Sequence, residues 1–105
     1  MKKDLLKIVN HYGILPQLKY IHSEYFELDE AIITAESLRF EGKHSGIPEY
    51  AKEHIAEEIA DCYVMLEQIR HFYDIGDREV LNVMKYKIER QLERIDLDGK
   101  KWDYY

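Results

Sequence analysis

Residues 54–72 constrain the fold most, because they combine a helical pattern with an apolar surface that covers most of the helix. At 100° per residue, one side of this helix carries an apolar line of Ile55, Ile59, Cys62, Leu66, Ile69 and Tyr73. The apolar surface is widened by Ala56, Ala60, Tyr63 and Val64. A helix this apolar predicts a central core element that is packed on several sides.

Two carboxylates border this line, and a second helix repeats their arrangement. Glu58 lies roughly 60° and Asp61 roughly 120° from the centre of the line, on one flank. The preceding helix has an apolar stripe of Leu18, Ile21, Tyr25, Leu28, Ile32 and Ala35. Glu24 lies roughly 70° and Glu27 roughly 130° from that stripe, on the corresponding flank. Packed side by side, the two helices could direct all four carboxylates into one pocket.

The rest of the chain predicts more helices with short connections. A helix over residues 2–12 is expected to end at Gly13, which tolerates a left-handed backbone. The second helix should start with Pro16 in its first turn and run to about residue 40. Asp77 is the expected N-cap of the last helix. The stripe of that helix comprises Leu81, Met84, Ile88, Leu92 and Ile95.

The connections complete an all-α prediction. Residues 42–48 read as a loop, and Pro48 at its end should open the third helix, which should end near Tyr73. The C-terminal tail, residues 97–105, contains Asp98-Gly99 and then Trp102, Tyr104 and Tyr105, which could dock on the body or on a second subunit. We therefore expect residues 1–105 to form a single all-α domain resembling a four-helix bundle.

Charge and composition exclude several function classes. A net charge of −6 argues against nucleic acid as the main partner, since phosphate backbones bind basic surfaces. No apolar run approaches the ~20 residues of a membrane span, and no signal-peptide core is present at the start. The single Cys62 cannot form an internal disulfide and is expected to be a small buried apolar residue. A cytoplasmic protein with neither nucleic-acid nor membrane partners is expected.

Acidic spacing alone carries little information here. With 21 acidic residues in 105, about four pairs three residues apart are expected by chance, and the sequence has five. Only the Glu24/Glu27 and Glu58/Asp61 pairs border an apolar stripe. Four carboxylates at one place repel one another, and Mg²⁺, which prefers carboxylate and phosphate oxygens, would relieve that repulsion. Two amphipathic helices with charged margins paired to lysines explain the pattern equally well.

The last helix adds a line of polar and basic residues. Lys87, Gln91 and Arg94 lie on one flank of its stripe, and Lys85 lies on the other. Cations beside a carboxylate–metal cluster are what a triphosphate needs for the oxygens that the metal does not reach. A solvated basic face that offsets nearby acids is the alternative reading of this line.

The two acidic motifs resemble those of a known family. The segment Q-L-K-Y-I-H-S-E-Y-F-E-L from Gln17, followed by H-I-A-E-E-I-A-D from His54, is similar to the paired motifs of MazG-like all-α nucleoside triphosphate pyrophosphohydrolases. The N-H-Y-G that precedes Gln17 resembles the small single-domain members of phages and Gram-positive bacteria. Two departures stand out: Ser23 replaces the Glu that usually precedes Glu24, and Gln91 replaces an Asn.

The resemblance implies a mechanism and an assembly. It implies that Glu24, Glu27, Glu58 and Asp61 bind Mg²⁺, or Mn²⁺ in its place, with Glu27 and Glu58 in catalytic roles. The resemblance also implies that the nucleoside triphosphate is contacted by Lys87, Gln91 and Arg94. Water would attack the α-phosphorus to give the nucleoside monophosphate and pyrophosphate, within a homodimer or homotetramer. The competing hypothesis is a non-catalytic oligomeric helical module that binds a protein partner or senses a nucleotide.

Overall fold

A computed structural model describes residues 1–41 and 46–101, and this part of the chain is helical throughout. The helices are α1 (Lys2–Tyr12), α2 (Ile14–Glu41), α3 (Glu49–Phe72) and α4 (Asp77–Lys101). No strand occurs among the described residues, which confirms the all-α prediction. None of the helices in the described ranges has both the length and the apolar composition that crossing a membrane requires. The chain divides into two compact units, Met1–Tyr73 and Asp74–Tyr105.

Glycine and proline set the helix ends, as predicted. Gly13 follows α1 with φ 93° and ψ 149°, a backbone region that is essentially restricted to glycine. Its N–H donates to the Val9 carbonyl at 2.8 Å and closes the last turn of α1. Pro48 precedes α3, and its carbonyl accepts hydrogen bonds from the N–H groups of Ala51 and Lys52. The two prolines and one glycine therefore locate the first three helices closely.

The last helix differs from the prediction at both ends. Asp77 is the first residue of α4, not its N-cap, and the Gly76 carbonyl accepts the Val80 N–H instead. At the other end, α4 continues past Asp98-Gly99 to Lys101. Most of the predicted loop (residues 42–45) and the aromatic tail (residues 102–105) lie outside the described residues.

The seam between α2 and α3, the line along which these helices pack, organises the first unit. Residues facing across the seam rise in number along α2 and fall along α3: Gln17 meets Gln68, Glu24 meets Asp61 and Glu27 meets Glu58. The helices therefore run antiparallel with a constant register. Helix α1 packs against α3 and α2. The buried apolar side chains of the described part are Val9, Ile21, Ala31, Ala35, Ala51, Cys62 and Met65.

Both seam helices are rotated relative to the predicted stripes. On α3, Glu58 is only 8% exposed, whereas Ile59 and Leu66 from the predicted stripe are 37% and 41% exposed. On α2, Gln17 is buried, whereas its apolar neighbour Leu18 is 38% exposed. The prediction that Glu58 lies at the margin of the core was therefore wrong, whereas the prediction that α3 is packed on several sides stays a prediction. Cys62 is buried, as expected.

The second unit consists largely of α4, whose apolar stripe is exposed. The exposed stripe residues are Leu81, Met84, Ile88, Leu92 and Ile95, each at least half accessible. A shallow apolar groove runs along the helix past Val83, Met84 and Ile88, with Lys87 and Gln91 on its wall. The prediction that α4 completes a four-helix bundle stays a prediction.

Candidate metal centre

Four carboxylates from the two seam helices form a compact acid cluster: Glu24, Glu27, Glu58 and Asp61. One oxygen from each of them can be chosen so that all four lie within 4.8 Å of one another. Oxygens this close can coordinate a single divalent cation. The structure thus brings together the four residues that the sequence motifs singled out.

Helix geometry explains the meeting of the four side chains. Residues three apart lie on neighbouring positions of a helix surface, so each helix presents two carboxylates side by side. The antiparallel register then places Glu24 against Asp61 and Glu27 against Glu58. Because the register is constant along the seam, a shift of α3 by a single turn would separate the two pairs.

The cluster has a buried half and an exposed half. Glu58 is 8% exposed, and its Oε2 atom is buried without a hydrogen-bond partner. The Oε2 atom of Glu24 is likewise buried and unpartnered. Glu27 and Asp61 are exposed. Since buried carboxylate oxygens normally accept hydrogen bonds or bind metals, these two unpartnered oxygens fit a cation ligand set.

Electrostatics disfavours full ionisation of the cluster. Burial raises the pKa of Glu24, and the charges of Glu27, Asp61 and Glu58 raise it further. Burial also raises the pKa of Glu58, with further contributions from Glu27 and Asp61, while His54 acts in the opposite direction. A divalent cation would reverse this balance, because it favours the ionised form of every carboxylate around it.

Two neighbours of the cluster were not identified from the sequence. The Nε2 atom of His54 lies 3.4 Å from Oε1 of Glu58, one helical turn away, where it helps to orient that carboxylate. Cys62 lies close enough to Glu24 for the carboxylate charge to add to the burial that raises the pKa of the thiol. The spacing His-x-x-x-Glu on α3 was the available signal for the first contact.

The three residues predicted to contact the substrate lie on α4, in the second unit. Lys87 and Gln91 line the same apolar groove, and Arg94 is exposed one turn further along. Their spacing puts them on one flank of the helix, as expected. Their role toward a triphosphate stays a prediction.

Comparison with known proteins identified no relative of this chain. No protein-family model matches the chain, and no curated protein or solved structure matches it either. The resemblance to MazG-like enzymes stays a prediction from the sequence motifs.

Proposed function

We propose that the protein hydrolyses a nucleoside triphosphate to the nucleoside monophosphate and pyrophosphate in an Mg²⁺-dependent reaction, with the acid cluster as the metal site. The observation that supports this most is the pair of orphaned, buried oxygens of Glu24 and Glu58 within a group of four carboxylates. An acidic chain can bind a polyphosphate only if cations stand between the two sets of negative charge.

The residues present fit a hard divalent cation. All four offer carboxylate oxygens, the ligand type that Mg²⁺ and Mn²⁺ prefer. The exposed half of the cluster leaves room for water and phosphate oxygens, which Mg²⁺ usually retains as ligands. When bound, the metal would orient the triphosphate and lower the pKa of an attacking water.

We assign metal binding and proton transfer to different carboxylates according to their burial. Glu58 and Glu24, whose Oε2 atoms are buried without a hydrogen-bond partner, would hold the cation in place. Glu27 is exposed at the edge of the cluster, so it can reach a solvent water and accept its proton. The oxygen of that water attacks the α-phosphorus, the bond between this phosphorus and the bridging oxygen breaks, and pyrophosphate leaves.

The finer parts of the proposal concern α4 and assembly. Lys87 and Arg94 would neutralise the β- and γ-phosphates, with Gln91 contacting the nucleotide between them. We place the reaction in a cytoplasmic homodimer or homotetramer of MazG-like bundles. Support for an oligomer comes from the apolar stripe of α4, which no described residue of the second unit covers.

The test is release of pyrophosphate from a panel of ribo- and deoxynucleoside triphosphates in Mg²⁺, in Mn²⁺ and in EDTA. We expect metal-dependent formation of monophosphate and pyrophosphate in equal amounts, which Asp61→Asn abolishes while the variant stays helical. Glu57 offers a matched control, since Glu57→Gln removes one charge from the exposed face of α3 outside the cluster. Full turnover by Asp61→Asn would exclude the metal assignment, and a silent panel with folded protein would favour the non-catalytic helical module.

A further inference from the structure

We infer that Gln17 and Gln68, the glutamine pair, recognise the base of the nucleotide through an N–H group on the edge of the base. This inference rests on the proposed function, since it assigns the base subsite of the same substrate. Neither residue belongs to the acid cluster. In the described residues, no carboxylate and no basic side chain hydrogen-bonds to either of them.

The glutamine pair is buried but incompletely satisfied. Gln17 and Gln68 are 6% and 2% exposed. Nε2 of Gln17 donates to Oε1 of Gln68 at 2.8 Å, while Nε2 of Gln68 has only a weak acceptor, the Met65 sulfur at 3.7 Å. Oε1 of Gln17 is buried with no partner at all. A buried amide with an empty acceptor is costly, so a ligand that supplies an N–H there gains more than an ordinary hydrogen bond.

The register of the seam relates the pair to the acid cluster. Gln17 precedes Glu24 by seven residues on α2, and Gln68 follows Asp61 by seven residues on α3. Seven residues are nearly two full turns, so each glutamine lies on the same line of its helix as the acid, about 10.5 Å along the axis. A nucleotide whose α-phosphate lies at the acid cluster and whose base points along the seam would bring the base to the pair.

The hydrogen bond within the pair determines what a ligand must offer. Because Gln68 holds Nε2 of Gln17, the Gln17 amide presents its oxygen and not its nitrogen. The complementary group is a hydrogen-bond donor. The edge of a nucleobase provides one as an N–H at the base end of the nucleotide, and a sugar phosphate has no group at that end. The oxygen is closed off from solvent in the free protein, so entry of the base requires a shift of the surrounding side chains.

The first experiment compares nucleoside triphosphates with ribose 5-triphosphate, which has no base. We expect kcat/KM to favour the best nucleotide by about ten- to a hundredfold, because one or two hydrogen bonds and the orphaned oxygen depend on the base. Gln17→Met should reduce this ratio to about threefold or less, because it lowers kcat/KM for the nucleotide. Lys19→Met, which places the same side chain on the exposed face of α2, should leave the ratio as in the wild type.

A second experiment tests the pair without turnover. In Mg²⁺, addition of nucleoside monophosphates, which are products and are not turned over, should shift the side-chain amide NMR signals of Gln17 and Gln68, whereas ribose 5-phosphate should not. Unshifted signals, or an unchanged base preference in an active Gln17→Met enzyme, would overturn the inference. The glutamine pair would then serve only to fix the register between α2 and α3. If turnover is absent for every triphosphate, the proposed function fails, and the NMR titration still decides the inference separately.

Discussion

Replacing Glu58 by Gln should have opposite effects on stability in the absence and in the presence of metal. The amide keeps the shape of the side chain but removes the charge of a carboxylate that is only 8% exposed and lies among three other carboxylates. Without metal, burial and repulsion by Glu27 and Asp61 both disfavour ionised Glu58, so the variant should melt at a higher temperature than the wild type. A structural salt bridge at this position would give the reverse sign.

With metal, the order of the two proteins should invert. At an Mg²⁺ concentration tenfold above Kd, binding adds about 1.4 kcal/mol to the free energy of unfolding. One kcal/mol raises Tm by roughly 4–8 °C in a domain of 60–100 residues, so the wild type should gain about 6–11 °C. If the lost ligand weakens binding by about a hundredfold, the same Mg²⁺ adds less than ~0.1 kcal/mol to Glu58→Gln, or less than ~1 °C.

The assay is thermal unfolding followed by circular dichroism, in EDTA and across an Mg²⁺ series. The matched control is Glu57→Gln, which removes a charge from the exposed face of the same helix and should respond to Mg²⁺ as the wild type does. A gain in Glu58→Gln equal to that of the wild type would refute the assignment of Glu58 as a metal ligand. A lower Tm than the wild type in EDTA would refute the electrostatic reasoning.

Three further predictions follow from the same residues. In EDTA, the fold raises the pKa values of Glu24 and Glu58 above 4.5, so the stability that these groups contribute is full below pH 4.5 and is lost as the pH rises through the raised values. The urea midpoint of the wild type should therefore increase relative to that of Glu58→Gln when the pH is lowered from 7 to 5. Parallel pH profiles of the two proteins would contradict this. Lys87→Met should raise KM for the triphosphate by about tenfold or more without changing Mn²⁺ affinity by calorimetry, whereas Lys85→Met on the other flank should not, and equal KM values for both variants would remove Lys87 from the site. Ile88→Asp should lower the mass measured by light scattering from that of an oligomer to that of a monomer, and a monomeric wild type would exclude the assembly.

Local signals explain the parts of the fold that could be predicted. Gly13 has a backbone conformation that other residues avoid, and Pro48 lacks an N–H. Both residues therefore mark a helix boundary that can be predicted without information on tertiary contacts. The pairs Glu24/Glu27 and Glu58/Asp61 are also local, since spacing alone puts each pair on one flank. These features predicted the bounds of α1 to α3 and the four acids that the structure brings together.

The rotation of the seam helices could not be predicted from hydrophobic periodicity. Periodicity assigns the core to the most apolar line of a helix, and on α2 that line includes Leu18 instead of Gln17. A polar residue can be assigned to the seam only if its partner on the other helix is known, and Gln68 lies 51 residues away from Gln17 in the sequence. The repeat of Gln17, Glu24 and Ala31 at intervals of seven was the one available clue, because seven residues bring a side chain back to almost the same line.

The proposed ligands and the proposed partner would together explain the rotation of the seam helices. The seam buries Gln17, Gln68 and Glu58, while Leu18 and Ile59 beside them stay more than a third exposed. Burial of apolar area alone would favour the opposite rotation of both helices. The observed rotation therefore carries the free-energy cost of buried polar groups, which another interaction has to offset. A cation at the acid cluster and a base at the glutamine pair would compensate the buried polar groups. A second subunit on the exposed apolar side chains would recover the hydrophobic contribution, which is why we propose the metal, the nucleotide and the oligomer together.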